Sequence, residues 1–308
     1  MQVIRVGNSG VLTVDEAPEP RPGPGEVLVR VAAAGVILSE LGWYPTTHNK
    51  TGEPRTGAIP GHEFSGVVAG LGKDVGTLEV GHGVFGMNDW HSDGALAEYC
   101  VAALFAIAPK PGSLTYAQAA SVPISALTAW QGLFDHAKLR RGEHILIHGG
   151  AGAVGEFAIQ LAHLFGAHVT TTASSRDHDF VRHLGAERVI DYHQSRFEDI
   201  AQNMDIVFDT VGGDTLARSW GVLKPNGRMV TIVSGDTTSN DPRAQTAFFI
   251  VEPNQKQLVE IARLLDAGKL RTFVDSVVPL SQAPDLYGGK LKRQGRGKLV
   301  ISVSDVYA

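Results

Sequence analysis

The sequence predicts an α/β protein of two domains, a β-barrel built from both ends of the chain and a doubly wound parallel sheet between them. Three observations support this fold class. Short strand-like runs with closely spaced glycines fill residues 1–119, strand-like and helical segments alternate over 120–251, and mixed structure returns over 252–308. At 308 residues the chain is long enough to bury two hydrophobic cores.

The first stretch has the pattern of short strands with tight bends. Residues 26–31 and 64–69 are strand-like runs, and glycines recur between residues 57 and 86, as the bends of a compact barrel require. The segment 44–60 is polar and turn-rich, so we predict a mobile surface loop there.

The middle stretch has the pattern of a parallel sheet. Its strand-like runs are apolar and rich in β-branched residues. They lack the alternation of apolar and polar residues that is typical of a strand with one solvent-exposed face. They are residues 144–148, 168–173, 205–209 and 228–233, with helical patterns at 156–165 and 180–184. Helices on both faces of a parallel sheet explain such strands.

The tail returns to mixed structure. A helical period covers residues 254–267 and stops at Gly268, and strand-like runs follow at 272–278 and 298–303. Because isolated strands need neighbours, we expect the tail to pack back onto the first domain.

Composition and charge exclude several classes of partner. The net charge of −5 is spread along the chain, without a basic stripe for nucleic acid or a membrane surface. The sequence contains neither a signal peptide nor a run of about 18 apolar residues. A lone cysteine, Cys100, rules out an internal disulfide. We therefore predict a soluble cytoplasmic protein.

A glycine-rich segment links a strand to a helix at residues 144–155. Gly150, Gly152 and Gly155 match G-x-G-x-x-G, with Ala153 and Val154 completing the loop. The first glycine is expected to permit a tight turn, the second to admit a pyrophosphate, and the third to let helix and strand pack closely. A helix N-terminus also attracts phosphate. We predict a dinucleotide site; the alternative is a glycine-rich turn that binds nothing.

The end of the next strand indicates which dinucleotide binds. A site for NAD places Asp or Glu about 20 residues beyond the glycines, to bind the ribose 2′-hydroxyl. Here Ser174 lies 19 residues after Gly155, followed by Ser175, Arg176 and Asp177. Two hydroxyls and a guanidinium suit a 2′-phosphate, although Asp177 opposes it. The sequence predicts NADPH; alternatively, Arg176 is an ordinary solvated side chain.

Several motifs in one order carry a family resemblance. They are residues 60–68, 94–99, 149–155, 184–186, 189–192, 208–213, 223–228 and 297–300. With these motifs the chain resembles the medium-chain dehydrogenase/reductase superfamily, and within it the zinc-independent quinone oxidoreductase (zeta-crystallin-like) branch.

The resemblance implies a GroES-like catalytic domain over residues 1–119 and 252–308, and a Rossmann domain over 120–251. It implies a cleft between them where nicotinamide meets substrate, and a homodimer formed through a strand near 247–251. The implied cofactor contacts, in addition to the glycine loop, are Thr128, Ser174, Arg176, Tyr192, Val233, Ser234, Phe249, Val251 and Lys298.

The same resemblance argues against a catalytic metal. Zinc-dependent relatives carry a Cys where this chain has Ile37, and Ser125 lies near the position of their third ligand. Only His62 of the expected ligands is retained, and a catalytic zinc needs three protein ligands. We predict no metal, with a zinc alcohol dehydrogenase as the alternative.

Without a Lewis acid, a conjugated acceptor is easier to reduce than a simple ketone. We therefore predict hydride transfer from NADPH to a quinone or an α,β-unsaturated carbonyl. Ser39 and Tyr44 are candidate proton donors, or alternatively a capping serine and a packed tyrosine. The candidate substrate pocket comprises Ile37, Trp43, His62 and Trp90. A non-catalytic NADPH-binding sensor or structural protein is the alternative from another class.

Overall fold

The structure is a computed structural model that describes residues 1–7, 10–233, 242–291, 293 and 295–304. The chain divides into two units, residues 1–124 with 253–308, and residues 125–252. The first boundary follows Ile124, whereas the sequence analysis set it after Ala119. A continuous helix, Pro123–Trp130, crosses this boundary. The change from short strands to alternating strands and helices in the sequence therefore does not mark the position of the boundary.

The strands and helices follow in chain order. Residues 1–124 hold β1 (Gln2–Val6), β2 (Leu12–Glu16), β3 (Glu26–Gly35), α1 (Tyr44–Thr47), β4 (Glu63–Leu71), β5 (Gly83–Met87), β6 (Tyr99–Ala103), β7 (Ile107–Pro109), α2 (Tyr116–Ala120) and the start of α3 (Pro123–Trp130). Residues 125–252 hold β8 (His144–Ile147), α4 (Ala153–Leu164), β9 (His168–Ala173), α5 (His178–His183), β10 (Arg188–Asp191), β11 (Met204–Asp209), α6 (Gly213–Ser219), β12 (Leu223–Thr231) and α7 (Pro242–Ala247). Residues 253–308 hold α8 (Gln255–Asp266), β13 (Val274–Pro279), α9 (Ala283–Tyr287) and β14 (Lys298–Ser302).

The first unit is organised around β3. Three strands, β4, β6 and β14, pair with β3, and each pairing is antiparallel. The sheet runs in the order β13-β14-β3-β4-β5-β7. Buried Val29, Phe64 and Ile301 place its hydrophobic core on strands from both ends of the chain. The expectation that the tail packs back onto the first domain is confirmed.

The second unit is a parallel sheet in the order β10-β9-β8-β11-β12. The chain starts at β8, moves outward to β10, and then returns to β11 on the other side of β8. Right-handed crossovers in these two directions put helices on opposite faces, so the predicted doubly wound sheet is confirmed. The strand order reverses between β8 and β11, and ligands of such sheets bind at this point, outside the carboxyl ends of the strands.

Two segments differ from the predictions. Within the single chain, residues 247–251 form no strand in the described structure: α7 ends at Ala247, and Phe248 makes one isolated parallel bridge to Thr231. Directly after them, the backbone N–H and C=O of Glu252 pair with the Gln131 side chain. The pairing of this segment across a dimer stays a prediction. The segment 44–60 is more than a loop, because it contains α1, whose Thr46 is buried.

The predicted tail helix is confirmed as α8. The Asn254 side chain caps it by accepting from the Gln257 N–H at 3.1 Å, and Gly268 follows with φ of +65°. Over the described ranges, none of the helices has the length and apolar character needed to cross a bilayer.

Candidate functional site

The glycine corner, residues 148–155, joins β8 to α4. The left-handed backbone conformation of this turn falls on Gly149, with φ of +74°, one residue before the first glycine of the predicted motif. A Cβ on Gly150 would lie 2.1 Å from Thr171 Oγ1, and one on Gly155 would lie 2.2 Å from the Gly149 oxygen. Gly150 therefore lets β9 approach the corner, and Gly155 lets α4 pack against it.

Gly152 has a different environment. Of the described heavy atoms, the Gly149 oxygen alone would approach a Cβ on Gly152, and it would do so at 3.2 Å. This single contact is tight, but packing within the chain constrains Gly152 much less than Gly150 or Gly155. Gly152 is the N-cap of α4, where the first N–H groups of a helix lack intrahelical partners. Open space beside such donors fits the approach of a diphosphate.

Asp209 at the end of β11 fixes the neighbouring loop. Its buried carboxylate accepts from the Val211 N–H at 3.1 Å, the Gly212 N–H at 3.0 Å and the Thr231 hydroxyl at 2.8 Å. Val233 packs over Gly212, whose Cβ would lie 2.5 Å from Val233 Cγ1. The predicted contact Val233 therefore lies by this loop, whereas Ser234 is outside the described residues.

His148, the first residue of the corner, is held in its neutral form. Its Nε2 lies 2.9 Å from Ser219 Oγ, which donates to the Thr215 oxygen and so must accept from the ring. Its Nδ1 lies 3.2 Å from Thr172 Oγ1, which also accepts from the Gly149 N–H. Burial lowers the pKa of His148 to about 4, so at neutral pH it buttresses the corner without adding charge.

The predicted specificity residues form a turn after β9. The Ser174 hydroxyl donates to Asp177 Oδ2 at 2.6 Å, and Arg176 Nε lies 3.3 Å from the same oxygen. Asp177 is buried, while Ser175 and Arg176 are exposed. The structure brings Ser174 and Arg176 together, and it adds a carboxylate to them.

The remaining predicted cofactor contacts are scattered. Tyr192 is exposed after β10, and Phe249 stacks on His136 at 4.3 Å. Thr128 in α3 and Val251 are buried. Lys298 belongs to the first unit, where it forms a buried ion pair with Glu63, so a phosphate would have to compete with that carboxylate. The cofactor roles of these residues stay predictions.

Glu40 is the centre of a buried polar cluster in the first unit. Its Oε2 accepts from the Gly61 N–H at 3.0 Å and lies 3.1 Å from His62 Nδ1. Its Oε1 accepts from the Tyr287 hydroxyl. Burial, reinforced by the Glu40 charge, raises the pKa of Tyr287 well above its usual value, so Tyr287 stays a donor. A carboxylate with three donors fixes the orientation of the His62 ring.

Glu63 and Lys298 form a second buried pair beside this cluster. The side chains are 0% and 5% exposed, and Glu63 Oε2 also accepts from the Ile124 N–H at 3.0 Å. Burial raises the pKa of Glu63, and the Lys298 charge opposes this shift. Gly35 provides the space, because a Cβ there would lie 2.6 Å from Glu63 Oε1.

Three of the predicted pocket residues come together. The Trp43 and Trp90 rings meet edge to face at 5.3 Å, and the His62 ring lies 5.4 Å from Trp90. Ile37 is half-buried at the start of a 3₁₀ turn, Leu38–Gly42, that exposes Ser39 and buries Glu40. Tyr44 is exposed, with its ring stacked on His48 at 4.4 Å. Proton donation by Ser39 or Tyr44 stays a prediction.

The residues around His62 do not fit a catalytic metal. The Glu40 carboxylate already accepts hydrogen bonds from three donors. The Glu63 carboxylate already pairs with Lys298 and accepts from the Ile124 N–H. Within the described part of the chain, no group of three His, Cys, Asp or Glu side chains is arranged to hold a metal ion. A catalytic zinc would lack its ligand set here.

Sequence reasoning missed Glu40, Tyr287 and the role of Asp209. Glu40 and Tyr287 are 247 residues apart, so spacing along the chain could not connect them. Asp209 did leave a signal, a carboxylate at the end of a buried strand followed by Gly212 and Gly213.

Comparisons with known proteins agree with this architecture. Residues 23–132 match the family described as alcohol dehydrogenase GroES-like domain, and residues 184–301 match the family described as zinc-binding dehydrogenase. The human NAD(P)H oxidoreductase RTN4IP1, mitochondrial, is 33% identical, with 91% of this chain and 82% of that protein covered. The 2-methylene-furan-3-one reductase of Solanum lycopersicum is 32% identical, over 90% of this chain and 71% of that protein. The structure of the quinone oxidoreductase from Coxiella burnetii superposes with a TM-score of 0.87 at 32% identity, covering 99% of both chains.

Proposed function

Because the chain belongs to the medium-chain dehydrogenase/reductase superfamily, in its quinone oxidoreductase branch, we propose that it reduces quinones or α,β-unsaturated carbonyls with NADPH and without a metal. The observation that carries this proposal is the glycine corner at the N-terminus of α4. Apart from one contact with the Gly149 oxygen at 3.2 Å, a Cβ on Gly152 would meet no described atom within 4 Å, so one side of the helix N-terminus is open.

The second unit supplies the residues that would hold the cofactor. Gly152, Ala153, Val154 and Gly155 present the helix N-terminus to the diphosphate. Ser174 and Arg176 lie after the next strand, at the place where the adenosine ribose of such cofactors binds. When bound, the reduced nicotinamide supplies the hydride.

Arg176 supports the choice of NADPH over NADH. Its side chain is 86% exposed, so the guanidinium can reach a 2′-phosphate. We expect Arg176→Ala to weaken NADPH binding by about 1.5–3 kcal/mol, the range for a lost charge-assisted hydrogen bond, and NADH binding much less. Calorimetric titration with both dinucleotides measures this, and an equal loss for both would contradict the proposed role.

The acceptor class follows from the missing ligand set. Without a Lewis acid, the negative charge that follows hydride addition must be stabilised elsewhere, and a conjugated acceptor delocalises it. Trp43 and Trp90 provide flat apolar surfaces suited to such a molecule. The names of the tomato and Coxiella relatives, an enone reductase and a quinone oxidoreductase, agree with this class.

The test is a turnover assay with matched metal analysis. Purified protein is mixed with NADPH and a panel of quinones, enones and simple ketones, and the loss of reduced-nicotinamide absorbance is followed. We expect turnover with conjugated acceptors from protein free of zinc. NADPH binding without turnover of any acceptor would favour a sensor, and stoichiometric zinc in active protein would favour an alcohol dehydrogenase.

The proposal includes a cytoplasmic homodimer. Residues 248–251 keep a single bridge to β12 in the described structure, so pairing with a second copy would complete them as a strand. Sedimentation of the purified protein tests this assembly.

A further inference from the structure

Asp177 contacts both residues that the proposed function assigns to the adenosine ribose. Its Oδ2 accepts from the Ser174 hydroxyl at 2.6 Å and from Arg176 Nε at 3.3 Å. The Asp177 side chain is 10% exposed and the Arg176 side chain 86% exposed, so the carboxylate is enclosed while the guanidinium is not. The backbone supports this arrangement, because the Asp177 N–H donates to the Ser174 carbonyl at 2.9 Å.

The position of the hydroxyl proton decides what Ser174 can bind. An ionised carboxylate only accepts, so the single proton of the Ser174 hydroxyl points at Asp177. Ser174 Oγ therefore offers lone pairs to a ligand. A ribose 2′-hydroxyl can donate to those lone pairs, whereas a 2′-phosphate carries only acceptors and finds no donor there.

The charge of Asp177 acts in the same direction. A 2′-phosphate bound by Arg176 would approach a carboxylate that already contacts that guanidinium, and the two anions would repel each other. If Ser174 turned its proton to the phosphate, the enclosed carboxylate would lose a donor. Arg176 favours NADPH, and Asp177 opposes it.

From this geometry we propose that Asp177 sets the cofactor specificity, holding the preference for NADPH small so that the protein also binds NADH. The inference rests on the proposed function, because it concerns the same dinucleotide site. It adds a positioning residue that acts through Ser174 and Arg176.

The test uses fragments of the cofactor, so acceptor chemistry does not enter. Binding of 2′,5′-ADP and 5′-AMP to the full-length protein is measured by calorimetry, and we expect wild-type affinities within about tenfold of each other. Asp177→Asn should raise the ratio of 2′,5′-ADP to 5′-AMP affinity on the order of tenfold, as expected when a like charge beside the phosphate is removed.

A matched control separates this contact from a change in net charge. Asp179 lies two residues further on, its side chain is 91% exposed, and it pairs with Arg182 at 3.5 Å. Asp179→Asn makes the same change in net charge and should leave the ratio unchanged. An unchanged ratio in Asp177→Asn, or an equal rise in both variants, would overturn the inference.

A second variant tests the role of Ser174 independently and decides the matter if Asp177→Asn fails to fold. Ser174→Ala should weaken 5′-AMP binding several-fold and leave 2′,5′-ADP within about twofold, because it removes only an acceptor. A larger loss for 2′,5′-ADP would mean that Ser174 donates to the phosphate, and the inference would be wrong. If the wild-type protein bound neither fragment, the dinucleotide assignment itself would fail.

Discussion

The glycine corner of the second unit and the buried polar cluster of the first unit are built on opposite principles. The corner depends on missing side chains: Gly150 and Gly155 leave room for backbone and neighbours, and Gly152 leaves room for a ligand. The cluster and the Glu63–Lys298 pair beside it depend on charged side chains enclosed where water cannot solvate them. A substitution in the corner adds bulk, whereas one in the cluster leaves a charge uncompensated, and the second change is the more costly.

The largest effect is therefore expected at the buried ion pair. Lys298→Met should lower the free energy of unfolding by about 3–5 kcal/mol, because the Glu63 carboxylate stays buried without its cation. Urea unfolding measures the loss.

The double variant Lys298→Met with Glu63→Gln is the control. The neutral amide that replaces the Glu63 carboxylate can still accept from the Ile124 N–H, so most of the lost stability should return. Glu63→Gln alone is measured as well. If the losses of stability in the two single variants simply added in the double variant, the pair would not be coupled and the contrast between the two regions would fail.

A smaller effect is expected at His148, a titratable group that supports the corner. Its pKa is lowered to about 4 in the folded protein, against 6.5 as the ordinary value. As the pH falls below 6.5, the His148 imidazole becomes protonated in the unfolded state but stays neutral in the folded state. The free energy of unfolding therefore decreases until the pH reaches the folded pKa. Between pH 7 and 4.5 this contributes about 2.5 kcal/mol.

Urea unfolding of wild type and His148→Gln at both pH values isolates this term from the carboxylates that titrate nearby. The variant should lose about 2.5 kcal/mol less than the wild type over that range. Equal losses would show that His148 is not kept neutral by the fold.

The smallest effects on stability are expected within the corner, where two glycines should behave differently. Gly155→Ala places a methyl group 2.2 Å from the Gly149 oxygen and should cost about 1–3 kcal/mol of stability. Gly152→Ala meets that oxygen at 3.2 Å, which a small backbone shift relieves, and should cost less, about 1 kcal/mol or below.

Gly152→Ala, the variant with the smaller effect on stability, should have a large effect on cofactor binding. Gly152→Ala should bind NADPH at least roughly tenfold more weakly while folding normally, because the methyl group occupies the open side of the corner. Normal NADPH affinity in Gly152→Ala would show that the space beside Gly152 is not used by the cofactor.

The same contrast explains how far the sequence could lead. The strand, the glycines and the helix of the corner are adjacent in the chain, so local spacing predicted β8, α4 and the tight turn between them. The same holds for α8, whose Asn254 cap and Gly268 stop lie at its two ends. Local patterns sufficed because the structure at these places is local.

The polar cluster could not be predicted in this way. Glu40 and Tyr287 meet because the tail of the chain packs onto the first unit, where β14 pairs with β3. The apolar residues 247–251 fit a strand, but α7 extends to Ala247 and only Phe248 bridges to Thr231, an outcome that their own pattern did not indicate. In both places the structure depends on segments that are distant in the sequence.

That amide has a wider consequence. Gln131 lies near the start of residues 125–252 and Glu252 is the last of them, so two hydrogen bonds of 2.8 and 3.0 Å hold the entry and exit of this long excursion side by side. A domain whose two ends lie close together can be inserted into a loop of another protein without distorting that loop. The Gln131 amide thus keeps the start and the end of the second unit close together, the arrangement under which insertion of one domain into another is tolerated.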